Sequence, residues 1–166
     1  GGLAIIASYA LAFLVLASVP FGEAAYRSLA SVGSLWPAIG IVFLTGLLDD
    51  LMSLQPWQKL VGHIAGATIA WYAGVRVMGV SGFSIEGWWT LPLTLGFLVF
   101  CTNSFNLIDG VDGLAAGAGF VAALTMLLAA VVHDNLALAL ATAPLAGCLL
   151  GFLRYNLSPA SVFLGD

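Results

Sequence analysis

The chain has 166 residues, 61% of them hydrophobic and only 7% charged, with a mean hydropathy of +1.09. Soluble domains carry about 25% charged residues, so a water-soluble fold of this length could not hide so much apolar surface, and the solvent has to be lipid. Eight acidic and four basic side chains leave a net charge of −4, which excludes the clustered basic surface that nucleic-acid binding needs.

Six apolar stretches follow in chain order: 3–19, 35–48, 58–75, 88–102, 114–132 and 136–153. Those of 17–19 residues would be about 26–29 Å long as helices, enough for a hydrocarbon core of about 30 Å. The second and fourth are shorter and are expected to extend into their polar flanks. Gly and Pro within them (Pro37, Gly40, Gly46, Pro92, Gly96) are tolerated in membrane helices, where small residues also allow close packing. The pattern predicts an all-α, polytopic transmembrane helix bundle of about six spans, with 1–166 as a single domain. Cys101 and Cys148 lie inside apolar runs without any CxxC pair or Cys/His cluster, which reads as packed thiols. The chain opens on Gly1-Gly2 without Met and stops at Asp166 without a polar tail. Both ends are expected to be internal to a longer protein.

If successive spans alternate in direction, the connections 20–34, 76–87 and 133–135 fall on one side. The start of the chain, 49–57, 103–113 and 154–166 fall on the other. Asp49, Asp50, Asp109, Asp112 and Asp166 then share that second side with Asn103, Asn106 and Asn156. Lys59 and Arg154 stand against Arg27 and Arg76, so the positive-inside rule is tied and gives no orientation. Trp36, Trp57, Trp88 and Trp89 sit at span ends, as interfacial aromatics do. The 76–87 connection, with Gly79, Gly82 and a Val/Phe/Ile alternation, suits a short hairpin.

Three segments carry chemistry. In Gly46-Leu-Leu-Asp-Asp50 two carboxylates stand at the C-terminal end of an apolar helix, which already carries partial negative charge. Acids near the membrane are costly without a partner, and a cation would offset both penalties. Lys59 opens the next span, and His63 lies one turn later. In Asn103-Ser-Phe-Asn-Leu-Ile-Asp-Gly-Val-Asp-Gly-Leu114, amides and carboxylates recur every third residue. Gly110 and Gly113 are expected to break or bend this segment. Two amides and two carboxylates suit a hard oxygen-binding cation or the hydrogen-bonding edges of a nucleotide. The third segment, 151–166, contains a Ser158-Pro159 turn and ends in Gly165-Asp166; read alone it is an amphipathic loop.

Together the three segments resemble the polyprenyl-phosphate N-acetylhexosamine-1-phosphate transferase family, glycosyltransferase family 4. The matching pieces are Asp49-Asp50 with Pro56-Trp-Gln-Lys-Leu60, then Asn103 through Ala115, then Asn156, Pro159-Ala and Phe163-Leu-Gly-Asp166. Gly1-Gly2-Leu3 resembles the glycine pair that opens an early helix of the family. The resemblance implies a helical membrane bundle in the cell membrane with a cytoplasmic active site. It implies transfer of a phospho-sugar from a UDP-N-acetylhexosamine to undecaprenyl or another polyprenyl phosphate, with release of UMP, at the start of cell-envelope polysaccharide synthesis. It also implies magnesium, with manganese as an alternative ion, and it allows a homodimer.

By matched position, Asp166 would bind magnesium, and one of Asp49 and Asp50 would deprotonate the lipid phosphate or help hold the metal. Asn106 and Asp109 would line the nucleotide site, Phe163 would stack on uracil, and Lys59 would steady phosphates. Candidate catalytic residues are thus Asp49, Asp50, Asp109 and Lys59. Candidate substrate-binding residues are Asn103, Asn106, Asp112, Asn156, Phe163 and His63. The sequence departs from the family where His63 replaces an expected glutamine, and it lacks the family's early helices and later histidine-bearing loop, so the 166-residue piece by itself is expected to be inactive. The Phe105–Gly113 run favours the O-antigen/teichoic branch over the phospho-N-acetylmuramoyl-pentapeptide transferase of peptidoglycan synthesis. An ion-coupled transporter is the alternative of another class, but its acids should lie at mid-membrane rather than at span ends on one side.

Overall fold

A computed structural model describes residues 1–20, 22–80 and 82–165. All six apolar stretches are helical over most of their length, in α1 (Gly2–Ser18), α3 (Trp36–Met52), α4 (Pro56–Tyr72), α5 (Thr90–Ile108), α6 (Leu114–Val132) and α7 (Leu136–Asn156). The remaining α-helix among the described residues, α2 (Glu23–Gly33), lies in what the hydropathy pattern marked as a connection. Its polar composition hides it from hydropathy, but Leu29 and Val32 are buried on one face. Glu23 in its first turn complements the helix dipole, while its pairing with Arg27 at 3.6 Å is almost fully exposed and contributes little. The expected hairpin is present as β1 (Gly79–Val80) paired antiparallel with β2 (Phe83–Ser84), in register Gly79↔Ser84 and Val80↔Phe83.

Among the described residues, four stretches are long and apolar enough to cross a bilayer: Glu23–Met52, Gly87–Ile108, Leu114–Val132 and Leu136–Asn156. The helices α1 and α4 have 17 residues each, at the lower limit of the usual span of about 20. Six spans is therefore an approximate count, and α1 and α4 are the two at issue. The molecule is an all-α membrane protein apart from the hairpin.

The chain divides into two compact units, Gly1–Gly33 with Leu107–Gly165, and Ser34–Asn106. In the first, α7 packs against α1, α2 and α6. Ala116, Ala123 and Ala130 of α6 are buried at every seventh position, a spacing that keeps one face of a helix toward a neighbour. Opposite them α7 buries Thr142, Ala146 and Leu149, so small residues bring the two backbones close. The α6–α7 turn is tight, with Asp134 at φ 52° and Asn135 Oδ1 accepting from the Leu138 N–H at 3.0 Å to cap α7. Tyr9 of α1 donates its hydroxyl to the Ala141 carbonyl at 3.1 Å.

In the second unit α3 packs on α4. A Cβ on Gly62 would stand 2.2 Å from Thr45 Oγ1, and one on Gly66 would stand 2.6 Å from Val42 Cγ2. Two glycines four residues apart thus let α4 press onto α3, the small-residue contact of membrane helix pairs. Ser53 ends α3 at φ 51°, Pro56 occupies the first turn of α4, and Gln55 and Gln58 form a reciprocal capping box.

Candidate functional site

The α3–α4 contact positions the candidate residues of the second unit. Thr45 and Asp49 are one helical turn apart, as are Lys59 and Gly62, so the helix faces that meet at Thr45 and Gly62 carry Asp49 and Lys59 toward the same turn. Asp49 is buried at 9% exposure. Its Oδ1 accepts from the Leu54 N–H at 2.8 Å, and its Oδ2 pairs with Lys59 Nζ. The sequence leaves a carboxylate at the unfavourable end of α3, and Lys59 is the cation that compensates it. Its neighbour Asp50 is exposed, so the two adjacent acids occupy different environments.

His63 is buried at 4% exposure, and its Nδ1 lies 3.4 Å from Asn103 Nδ2. Asn103 also donates to the Val99 carbonyl of its own helix at 2.8 Å. Asn106, on the same helix, is half-buried. Asp49, Asp50, Lys59, His63, Asn103 and Asn106 all belong to this unit.

The first unit holds Asp109, Asp112, Asn156 and Phe163. As the glycines predict, α5 stops at Ile108 and α6 begins at Leu114. Gly113, at φ 74°, takes the left-handed conformation that glycine adopts without steric cost. Its N–H donates to Asn156 Oδ1 at 3.1 Å, and Asn156 Nδ2 donates to the Val162 carbonyl at 2.9 Å. Asn156 is 3% exposed. One bond at each polar atom of its amide thus joins the start of α6 to the segment after α7. Asp112 Oδ2 accepts from the Ala160 N–H at 3.1 Å, a second tie between the same two segments. Asp109 is half-buried and Phe163 is 68% exposed, which leaves the Phe163 ring accessible for stacking.

Composition did not reveal what holds the Phe163 segment. The Gly2 N–H donates to the Leu164 carbonyl at 2.7 Å. A Cβ on Gly1 would stand 2.3 Å from the Phe163 carbonyl oxygen and 2.6 Å from the Phe152 ring. The opening glycine pair thus forms a seat for residues 163–164. Thr45, Gly62 and Gly66 are the other positioning residues that motif reading missed, although the Gly-x-x-x-Gly spacing was visible.

Among the described residues no three His, Cys, Asp or Glu side chains gather as a metal-binding group. Asp166, the candidate magnesium ligand, lies outside the described residues. The donor set does have the right chemistry, since carboxylate oxygens such as that of exposed Asp50 are hard ligands suited to magnesium.

Residues 32–166 match the model of glycosyl transferase family 4. The chain belongs to that family. The matched region contains every candidate catalytic, substrate-binding and metal-binding residue. Among curated relatives, the phospho-N-acetylmuramoyl-pentapeptide-transferase of Halalkalibacterium halodurans is 37% identical over 138 residues, covering 73% of this chain and 42% of the relative. The decaprenyl-phosphate N-acetylglucosaminephosphotransferase of Mycolicibacterium smegmatis is 31% identical, covering 100% of this chain and 45% of the relative. A pentapeptide transferase of Desulforudis audaxviator is also 31% identical, with 100% and 56% covered. The chain spans about half the length of the curated relatives it matches.

Proposed function

We propose that the protein transfers N-acetylhexosamine-1-phosphate, or a related phospho-sugar, from a UDP-sugar to polyprenyl phosphate and releases UMP. The observation that carries this reading is the family match across the segment containing the three acid-bearing motifs. Transfer of a phosphoryl-linked group asks a protein mainly to position two anions and offset their charge. Asp50, which is exposed, would take the proton of the lipid phosphate, while Asp49, buried against Leu54 and Lys59, would keep Lys59 in place. Lys59, tethered by Asp49 in the first turns of α4, holds positive charge close to a helix N-terminus, which itself favours phosphate. Asn106 and Asp109 would meet the nucleotide, and Phe163 the uracil face. Asp50 and Asp166, with Asp49 if its pairing with Lys59 opens, would hold magnesium, or manganese in its place. That ion supplies charge neutralisation across the pyrophosphate.

The proposed setting is the plasma membrane, with the acid-bearing connections on the cytoplasmic side. Peptidoglycan synthesis is the second reading of the pathway. It is favoured by the pentapeptide-transferase names of the relatives at 37% identity, whereas the name of the decaprenyl-phosphate relative supports N-acetylglucosamine phosphate as the group transferred.

The test is UMP release by the full-length gene product from UDP-N-acetylglucosamine or UDP-N-acetylmuramoyl-pentapeptide, with and without polyprenyl phosphate. Asp50→Asn should lower turnover by about two orders of magnitude or more, the usual scale of a lost general base, while the protein remains in the membrane. Turnover by Asp50→Asn equal to wild type would remove Asp50 from the chemistry. UMP formation that persists in chelator would remove the metal.

A further inference from the structure

A cavity of about 450 Å³ opens at the far end of α4 from Lys59; about 18 Å of helix rise separates Lys59 from Trp71 in its wall. Its frame is held by hydrogen bonds. Trp71 Nε1 donates to Thr90 Oγ1 at 3.2 Å, the Val77 N–H donates to the fully buried Thr94 hydroxyl at 3.0 Å, and the Ile85 N–H donates to the Met78 carbonyl at 2.8 Å. The residues after α4 are thereby pinned to the start of α5, with the β1–β2 hairpin between them.

Two opposite charges line this cavity, Arg76 and Glu86. The Arg76 guanidinium lies over the Trp71 ring, 4.5 Å from its centroid, an arrangement that holds the cation in place. Met78 and Trp88 supply apolar lining. Tyr72, Trp88 and Trp89 are 75%, 75% and 68% exposed, the amphipathic aromatics that mark the headgroup level of a bilayer. The cavity therefore opens where lipid headgroups lie.

We propose that this cavity binds the headgroup of a zwitterionic phospholipid with a primary ammonium, of the phosphatidylethanolamine type. Arg76 takes the phosphate, Glu86 takes the ammonium, and Trp88 and Met78 meet the glycerol and upper acyl carbons. A purely anionic headgroup would satisfy Arg76 but meet repulsion from Glu86. A free phosphate would also forgo the apolar lining.

Native mass spectrometry of the detergent-solubilised protein tests this, with phosphatidylethanolamine and phosphatidylglycerol of identical acyl chains as probes. Phosphatidylethanolamine should be retained about tenfold more tightly, the scale of one charge-assisted hydrogen bond. Arg76→Gln should lower its retention about tenfold, and Arg76→Lys should restore part of it. Glu86→Gln should abolish the preference between the two lipids. O-phosphoethanolamine should displace the bound lipid, and inorganic phosphate should not. Equal retention of both lipids by wild type, unchanged retention in the Arg76→Gln and Glu86→Gln variants, or displacement by inorganic phosphate alone would each overturn the proposal. Both variants lie on exposed residues, so loss of folding does not confound the result. Lipid retention is read without turnover and is independent of the transferase reading.

Discussion

Lys59, in the first turns of α4, reaches back across the α3–α4 connection to pair with Asp49 near the end of α3. The pair places a cation against a largely buried carboxylate at the helix end least able to tolerate one. Lys59→Met would leave that carboxylate uncompensated at a cost of roughly 3 kcal/mol. Thermal unfolding in detergent should show the loss, and Asp49→Asn combined with Lys59→Met should recover much of it. Additive losses in the double variant would mean that the two side chains do not act as a pair.

The close approach of α3 and α4 depends on the missing Cβ of Gly62. Gly62→Ala would force a carbon to 2.2 Å from Thr45 Oγ1, and overpacking of this kind costs about 1–3 kcal/mol. In a Thr45→Gly background the same substitution should cost almost nothing further. An equal penalty in both backgrounds would show that another contact sets the separation.

Asn156 joins the start of α6 to the segment after α7 by one accepted and one donated hydrogen bond. Asn156→Ala should leave the Gly113 N–H and the Val162 carbonyl unpaired, at about 1–3 kcal/mol each if they stay buried. Hydrogen exchange should then accelerate at Gly113 and through 157–165 while the middle of α7 remains protected. Unchanged exchange at Gly113 would contradict this positioning role.

Much of the fold could be read from hydropathy, because lipid solvent demands apolar helices and little else is permitted. Hydropathy missed α2 because Glu23, Arg27 and its serines dilute the signal, although Leu29 and Val32 mark an apolar side. Within the candidate site, the local chemistry of Asp49-Asp50 and of Asn103–Gly113 was legible, including the helix break before Gly113. Partners distant in sequence were not legible. His63 meets Asn103, Asp112 meets the Ala160 amide, and Gly2 meets Leu164 only once helices pack. No local pattern encodes such pairings. The sequence also treats Asp49 and Asp50 as equivalent, whereas packing buries one against Lys59 and exposes the other.

In the proposed reaction the sugar moves together with a phosphate. It is tested most directly with a UDP-sugar labelled at the β-phosphorus, incubated with the full-length gene product, polyprenyl phosphate and magnesium. All transferred label should appear in the lipid product, and the released nucleotide should be unlabelled UMP. Label leaving as UDP would mean that the sugar is transferred without its phosphate, which would contradict the proposed reaction.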